Sequence, residues 1–349
     1  MAKIMQIDPN FKSESKLKLD DICFYNVKEN PWCLFGLIKE DHFRRMPKAV
    51  AAQVNAGVQE LHTNTSGGRV RFRTDSPYVA ISAVMPTLVY FPHMPDTGIS
   101  GFDMYVDGSY IKTFIPPEDV TQGFEGVYHF EDRRERDIMI HFPLYNNVKD
   151  LYIGLKDGAS LQEHTPYSTA QKIVFYGSSI TQGGCASRPG MAYPAQVSQK
   201  LNCDFINLGF SASAKGEPVM ARYIAGLNPD LFVLDYDHNA PTLEFLEKTH
   251  EVFFRTFREH QKEVPVVFMT APNVRFADAQ WRKRADVVYR TYQNAVAAGD
   301  RNVYFIDGAQ LWGEEDWQMC TVDALHPNDL GHYRMAQNVI RMIRELWQC

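Results

Sequence analysis

Four short stretches of this chain carry groups suited to moving an acyl group. Gly177-Ser178-Ser179-Ile180-Thr181 offers a hydroxyl, Gly209-Phe210-Ser211 a bare backbone, Asp237-His238-Asn239 a side-chain amide, and Asp323-Ala324-Leu325-His326-Pro327 a carboxylate beside an imidazole. A serine hydroxyl is a weak nucleophile until a neighbouring base takes its proton. His326 is the candidate base for Ser179 and returns the proton to the leaving group. Asp323 would hold the imidazole in the right tautomer and stabilise the imidazolium. An oxyanion at the attacked carbonyl needs fixed donors, and the N–H groups of Ser179 and Gly209 with the Asn239 amide could supply three. Glycine suits that place because a bare backbone can approach the reacting carbonyl.

These groups must be delivered to one edge of the fold. Compact apolar runs at 172–176, 204–208, 231–236, 264–270 and 302–307 read as strands buried on both faces. Helical patterns at 192–201, 243–260, 279–298 and 328–347 alternate with them, a further helix candidate precedes 231, and the expected result is a five-stranded parallel sheet, doubly wound. Ligands bind such sheets beyond the carboxyl ends of the strands, which is where the hydroxyl, the glycine and the asparagine fall. The first half has another rhythm. RVRFRT at 69–74 alternates Val70 and Phe72 with three arginines, and the row at 69, 71 and 73 reads as a solvated strand face. Asp107-Gly108 between two β-rich runs signals a hairpin. Only 46–56 looks helical there. The expectation is a jelly-roll-like β-sandwich over 1–165 and an α/β domain over 166–349, joined by a polar linker between them.

The blocks GSSIT, NLGFSAS, DYDHN and DALHPND resemble those of the SGNH hydrolases, the GDSL-type esterases. Gly101-Phe102-Asp103-Met104-Tyr105 is similar to the GxDLY motif of a β-sandwich joined to one subgroup of them. The resemblance implies a flavodoxin-like three-layer α/β/α hydrolase domain and activity on small acyl esters, often O-acetyl groups on carbohydrates. It places the nucleophile at Ser179, oxyanion donors at Gly209 and Asn239, and the acid and base at Asp323 and His326. The chain departs from the pattern twice. Ser178 stands where the first block usually has Asp, at a position that orients the turn and does not attack. The asparagine block is DYDHN, not GxND.

Arg188 reads as facing the pocket or capping a helix, and His93, with Pro95, as reaching the cleft from the sandwich. Trp312 and Trp317 either stack on a sugar ring or are buried. His238 is expected to be structural, without carboxylate or histidine at metal spacing. Cys185 and Cys320 are expected to pack rather than attack.

Composition bounds the rest. The 349 residues are 45% hydrophobic and 22% charged, with a net charge of -6, which suits a globular protein and gives no basic face for nucleic acid. Six cysteines without CxxC spacing, no apolar leader and no long apolar run predict a cytoplasmic chain without disulfides, metal, cofactor or membrane anchor. The expected partner is a small acylated substrate, an acetylated sugar or oligosaccharide. A homo-oligomer is left open, although no heptad or apolar stripe is evident. The leading reading is a serine esterase. A thioesterase, lipase-like hydrolase or acyltransferase on the same triad, and a non-catalytic carbohydrate-binding protein, are the alternatives.

Overall fold

The computed structural model describes residues 17–29, 33–272 and 279–348. The N-terminal stretch read for a leader lies largely outside them, as does Cys349. The first half consists of strands β1 (Ile22–Asn26), β2 (Cys33–Phe35), β3 (Ile38–Lys39), β4 (Phe43–Arg44), β5 (Arg69–Thr74), β6 (Tyr78–Val84), β7 (Phe102–Val106), β8 (Ser109–Phe114), β9 (Gly123–His129), β10 (Arg136–His141), β11 (Asp150–Lys156) and β12 (Gln162–Glu163). One antiparallel sheet runs β1-β11-β6-β9 and another β12-β5-β10-β7-β8, with β2 also on β5. Alternation places Val70, Phe72, Met104, Ile138 and Ile140 of one sheet in a shared core with Ile81, Phe124, Leu151 and Ile153 of the other. That is a sandwich, each sheet giving every second residue to the interior. Asp107 and Gly108 join β7 to β8 with φ of 51° and 80°, the left-handed pair a tight hairpin requires.

Three short helices interrupt the strands: α1 (Lys48–Val54), α2 (Ala56–Leu61) and α3 (Asp96–Ile99). The single helix expected at 46–56 is therefore two. Asn55 breaks it by going extended and capping α2 through the Val58 N–H.

The second half alternates β13 (Lys172–Gly177), α4 (Ser179–Gln182), α5 (Tyr193–Leu201), β14 (Asp204–Gly209), α6 (Pro218–Gly226), β15 (Leu231–Asp235), α7 (Leu243–His260), β16 (Val266–Met269), α8 (Ala279–Ala297), β17 (Val303–Ile306) and α9 (Asp329–Trp347). The parallel order is β14-β13-β15-β16-β17, the flavodoxin-like arrangement. Val174, Tyr176, Phe232 and Leu234 pack on one face with Ile224, Phe253 and Phe257. Ile173, Phe175, Val233 and Val267 pack on the other with Val197, Met335 and Val339. Among the described residues no helix is long and apolar enough to cross a membrane.

Two of the three arginines in the row at 69, 71 and 73 are not on a solvated face. Arg69 is fully buried, bonded to Asp204 and, at 3.2 Å, to the Phe205 carbonyl, with its guanidinium 4.1 Å from the Phe205 ring centre. Arg71 donates to the Thr165 carbonyl at 2.9 Å and lies 3.9 Å from the Tyr167 ring centre. Arg73 donates to the Glu163 carbonyl at 3.1 Å, so part of the polar linker is strand β12 on the edge of β5. Period 2 correctly separated the two faces, but Arg69 and Arg71 on the polar face meet the linker and the hydrolase half instead of water, while Arg73 stays 36% exposed.

Arg69→Met should leave Asp204 without its partner. Asp204 keeps about a quarter of its side-chain surface in water, so the cost should sit near the low end for broken buried pairs, about 3 kcal/mol. A thermal melt should show the transition lowered by roughly 5–10 °C. An unchanged transition would contradict a stabilising role for this contact.

Candidate active site

The nucleophile turn begins where β13 stops. Ser178 donates its N–H to the Asp235 carbonyl at 3.1 Å and caps α4 by accepting the Ile180 N–H at 3.1 Å. Ser179 is therefore the first residue of α4, half-buried, on a sharp strand-to-helix turn. Glycine is required just before it, since a Cβ on Gly177 would come within 2.3 Å of the Asp235 carbonyl oxygen. Thr181 ties α4 to the sheet by donating to Asp235 Oδ2 at 2.9 Å, and Tyr193 reaches the same oxygen at 3.3 Å. Asp235 is wholly buried, and burial pushes its carboxyl up to about 6. Asn207 completes the frame by donating to the Thr181 carbonyl at 2.7 Å.

His326 arrives from the loop before α9. Asn328 caps that helix, accepting the Gly331 N–H at 3.1 Å, and donates to the Met319 carbonyl at 2.7 Å. The loop is thereby closed on itself. Asp323 Oδ1 accepts the N–H groups of Leu325 and His326 at 3.0 and 2.7 Å, while its Oδ2 lies 2.7 Å from His326 Nδ1. Partial burial would raise this carboxyl, but the bonds from His326 and Leu325 outweigh it and hold the group below its usual value. Ser179 Oγ stands 3.0 Å from His326 Nε2. Hydroxyl, imidazole and carboxylate form one continuous chain, with a proton acceptor aimed at the serine oxygen.

Gly209 is not the expected free donor. Its N–H is held by Asn207 Oδ1 at 2.8 Å, and a Cβ there would come within 2.2 Å of the Gln182 nitrogen. The glycine lets α4 settle on β14 and has no N–H left for an oxyanion. Three residues later Ala212 is exposed with φ of 52°, and among the described residues its N–H has no hydrogen-bond partner. A non-glycine residue in the left-handed region was the missed signal, and it is invisible before the backbone is known. Asn239 sits beside the same loop, donating to the Phe210 carbonyl at 2.9 Å and leaving its second amide hydrogen unused by that bond.

The sandwich supports this site directly. Tyr145 Oη lies 3.2 Å from the Ser179 carbonyl oxygen and 2.9 Å from Ser211 Oγ. Gln182 donates to the Leu144 carbonyl and to Asn64 Oδ1, and accepts the Ser211 N–H. His93 is exposed, with its ring centre 5.7 Å from that of His326, so the sandwich does reach the triad.

Three other candidates do not line the site. Arg188 donates to Asp103 Oδ2 and Tyr105 Oη, both at 2.6 Å, and lies 3.8 Å from the Tyr110 ring centre. The Asp and Tyr of GFDMY therefore clamp this arginine between the two halves. Trp312 is 1% exposed within the core under α9, and Trp317 packs against the same core. Both positions fit the burial reading rather than sugar stacking.

The strand order and the Ser-His-Asp chain define a serine-type α/β hydrolase acting on ester bonds. The chain belongs to the GDSL-like lipase/acylhydrolase family, whose model matches residues 170–344. Residues 22–161 match the GxDLY model, the N-terminus of SGNH-hydrolase-type esterases. Among solved structures, a protein of Bacteroides ovatus assigned to the GDSL-like lipases is 28% identical, with 94% of this chain and 98% of that one covered and a TM-score of 0.85. The salicylyl-acyltransferase SsfX3 of a tetracycline biosynthetic pathway is 22% identical over 95% and 99%, with a TM-score of 0.79. An acetyl xylan esterase of the rumen bacterium Butyrivibrio proteoclasticus shares the fold at 13% identity over 94% and 99%, with a TM-score of 0.60. No curated protein matches the chain in sequence.

Cys185 lies within ligand distance of His93 and His326 but is 5% exposed, and burial pushes its thiol up to about 12. Only the thiolate reacts readily. Iodoacetamide at pH 8 should therefore leave Cys185 unlabelled in the folded protein and label it after denaturation, as read by peptide mass spectrometry. Prompt labelling of the native protein would contradict this burial.

Proposed function

We propose that this protein is a serine esterase that removes a short acyl group, with acetyl the expected group, from a carbohydrate or related alcohol. The observation that carries the reading is the 3.0 Å approach of Ser179 Oγ to His326 Nε2, with Asp323 2.7 Å behind the ring. Ser179 Oγ attacks the ester carbonyl as His326 Nε2 takes its proton. Asp323 stabilises the imidazolium through Nδ1–H. The negative oxygen is received by the Ser179 N–H and the Asn239 amide. We assign the third donor to the Ala212 N–H, because that of Gly209 is already bonded. Collapse breaks the bond to the alkoxy oxygen, which takes the proton from His326 and leaves as the alcohol. Water then repeats the cycle on the acyl-enzyme, releasing the carboxylic acid and restoring Ser179.

Exposure favours water as the acceptor. Asp323 and His93 are both open to solvent among the described residues, so water can reach the acyl-enzyme from that side. Transfer to another alcohol is the second reading, motivated by the likeness to the salicylyl-acyltransferase. His93, facing the base from the sandwich, is assigned to the departing alcohol. The substrate class rests on the shared fold with carbohydrate esterases. The cytoplasm is the proposed compartment, in keeping with the free thiols of Cys185 and Cys320.

Ser179→Ala should lower turnover of p-nitrophenyl acetate by a factor on the order of a million. Equal rates in the two proteins would contradict the mechanism. Asn239→Ala should lose roughly a hundred- to a thousandfold, and an unchanged rate would remove Asn239 from the oxyanion role. Acetylated oligosaccharides should release acetate, and a rate that rises with acyl chain length instead would favour the lipase-like alternative.

A further inference from the structure

The two departures from the family's sequence pattern meet in space. Ser178 Oγ, in the first block, stands 2.5 Å from Nε2 of His238, in the third. His238 Nδ1 in turn stands 2.8 Å from Asp237 Oδ1. The imidazole is 3% exposed, the Asp237 side chain 1%, and Ser178 is fully buried. A second serine–imidazole–carboxylate chain therefore runs beneath the first. Its serine precedes Ser179 and its histidine precedes Asn239 in sequence. It is not a second reactive centre, because Ser178 Oγ is closed to substrate and already accepts the Ile180 N–H.

The surroundings hold this chain rigidly. Asp237 Oδ1 accepts the His238 N–H at 2.9 Å, and Oδ2 accepts that of Ala271 at 3.1 Å. Arg284 donates to the Asp237 and Ala240 carbonyls at 2.9 and 2.8 Å, bracketing the segment. The Trp281 ring lies 6.4 Å from the imidazole, and Asp235 and Asp237 are the acids close to it. Burial disfavours a charged ring, yet the bond to Asp237 and the two acids hold His238 above its usual value. A neutral ring accepts the Ser178 O–H at Nε2 and a charged ring donates there, so the link survives in either state.

We propose that His238 is a positioning residue whose bond to Ser178 Oγ sets the spacing between the Ser179 nucleophile and the Asn239 donor, and that Ser178 and His238 are one paired change from the family pattern. The proposal rests on the reading of Ser179 as nucleophile. A misplacement near 1 Å can cost about a hundredfold in rate. Asp235 holds Thr181 from the end of β15, and within 236–239 His238 carries the side-chain hydrogen bond to the nucleophile turn among the described residues.

The test is a double-variant cycle on the full chain, followed by p-nitrophenyl acetate turnover, by phosphorylation of Ser179 with paraoxon and by thermal melts. His238→Ala should lower kcat by about tenfold to a hundredfold, short of losing an oxyanion donor outright, with KM within about threefold. His238→Gln, whose amide can still meet Ser178 Oγ, should recover most of the rate. Ser178→Ala, which also removes the cap on the Ile180 N–H, should lose at least as much as His238→Ala, and the pair should lose no more than Ser178→Ala alone, as expected of two groups acting through one bond. Losses that multiply, an unchanged kcat in His238→Ala, or a Gln variant as slow as the Ala variant would overturn the proposal. If His238→Ala does not fold, the comparison of His238→Gln with Ser178→Ala decides: a His238→Gln near wild type beside a slow Ser178→Ala supports the proposal, and a His238→Gln as slow as Ser178→Ala overturns it. A wild type no faster than Ser179→Ala on the ester would overturn the esterase reading alone. The lock is then judged by paraoxon labelling, where slower labelling in the variants supports it and equal labelling overturns it.

Discussion

A hydrogen bond between Ser179 and His326 joins side chains 147 residues apart, and most of the hydrolase half can be read as what keeps that bond short. One end is held by a turn that must reverse from strand to helix within a single residue. The other is held by a loop that Asp323 and Asn328 close from within. Neither end is stable alone. A four-residue helix such as α4 is far below the length at which helices persist in water, so it exists because Asp235, Asn207 and Gln182 bond it to the sheet and to the sandwich. The buried polar groups that do this are costly to leave unpaired, which makes the turn all-or-none rather than adjustable.

The sandwich is part of this frame. Tyr145 touches the carbonyl of Ser179 itself, and Ser66 donates to that of Gln182 at 2.5 Å. Arg45 is wholly buried, bonded to the Gly209 carbonyl and stacked 4.4 Å from the Phe210 ring centre. These contacts reach both the nucleophile turn and the loop that follows β14. The half that carries no reacting group thus helps fix the distances among those that react, and through His93, whose ring centre lies 5.7 Å from that of His326, it also reaches the triad.

How much of this was legible in the sequence depended on whether a residue's role is set by chain order or by its partner. Ser179, Asn239 and the Asp323–His326 pair follow from parallel topology, since whatever ends a strand of such a sheet falls on one edge. The Asp107-Gly108 hairpin was legible for a local reason, the left-handed backbone that those two residues tolerate. Gly209 was misassigned because a glycine tolerates close approach from either side, and the approach came from α4 instead of from substrate. Arg69 and Arg71 were misread because alternation tells which face a side chain occupies, not whether that face meets water or another domain, and Arg188 was undecided because its partners, Asp103 and Tyr105, lie 85 and 83 residues away. The bond between Ser178 and His238 joins two positions 60 residues apart that look like unrelated exceptions until the strands are set side by side.

Catalysis by this triad requires that Ser179 become covalently acylated. Acid-quenching the protein during turnover of p-nitrophenyl acetate and mapping its peptides by mass spectrometry tests this directly. A single acetyl group should appear on the peptide containing Ser179, at Ser179 and not at Ser178, and disappear when the ester is exhausted. Sustained turnover with that peptide unmodified, and the acetyl group on another side chain, would contradict it.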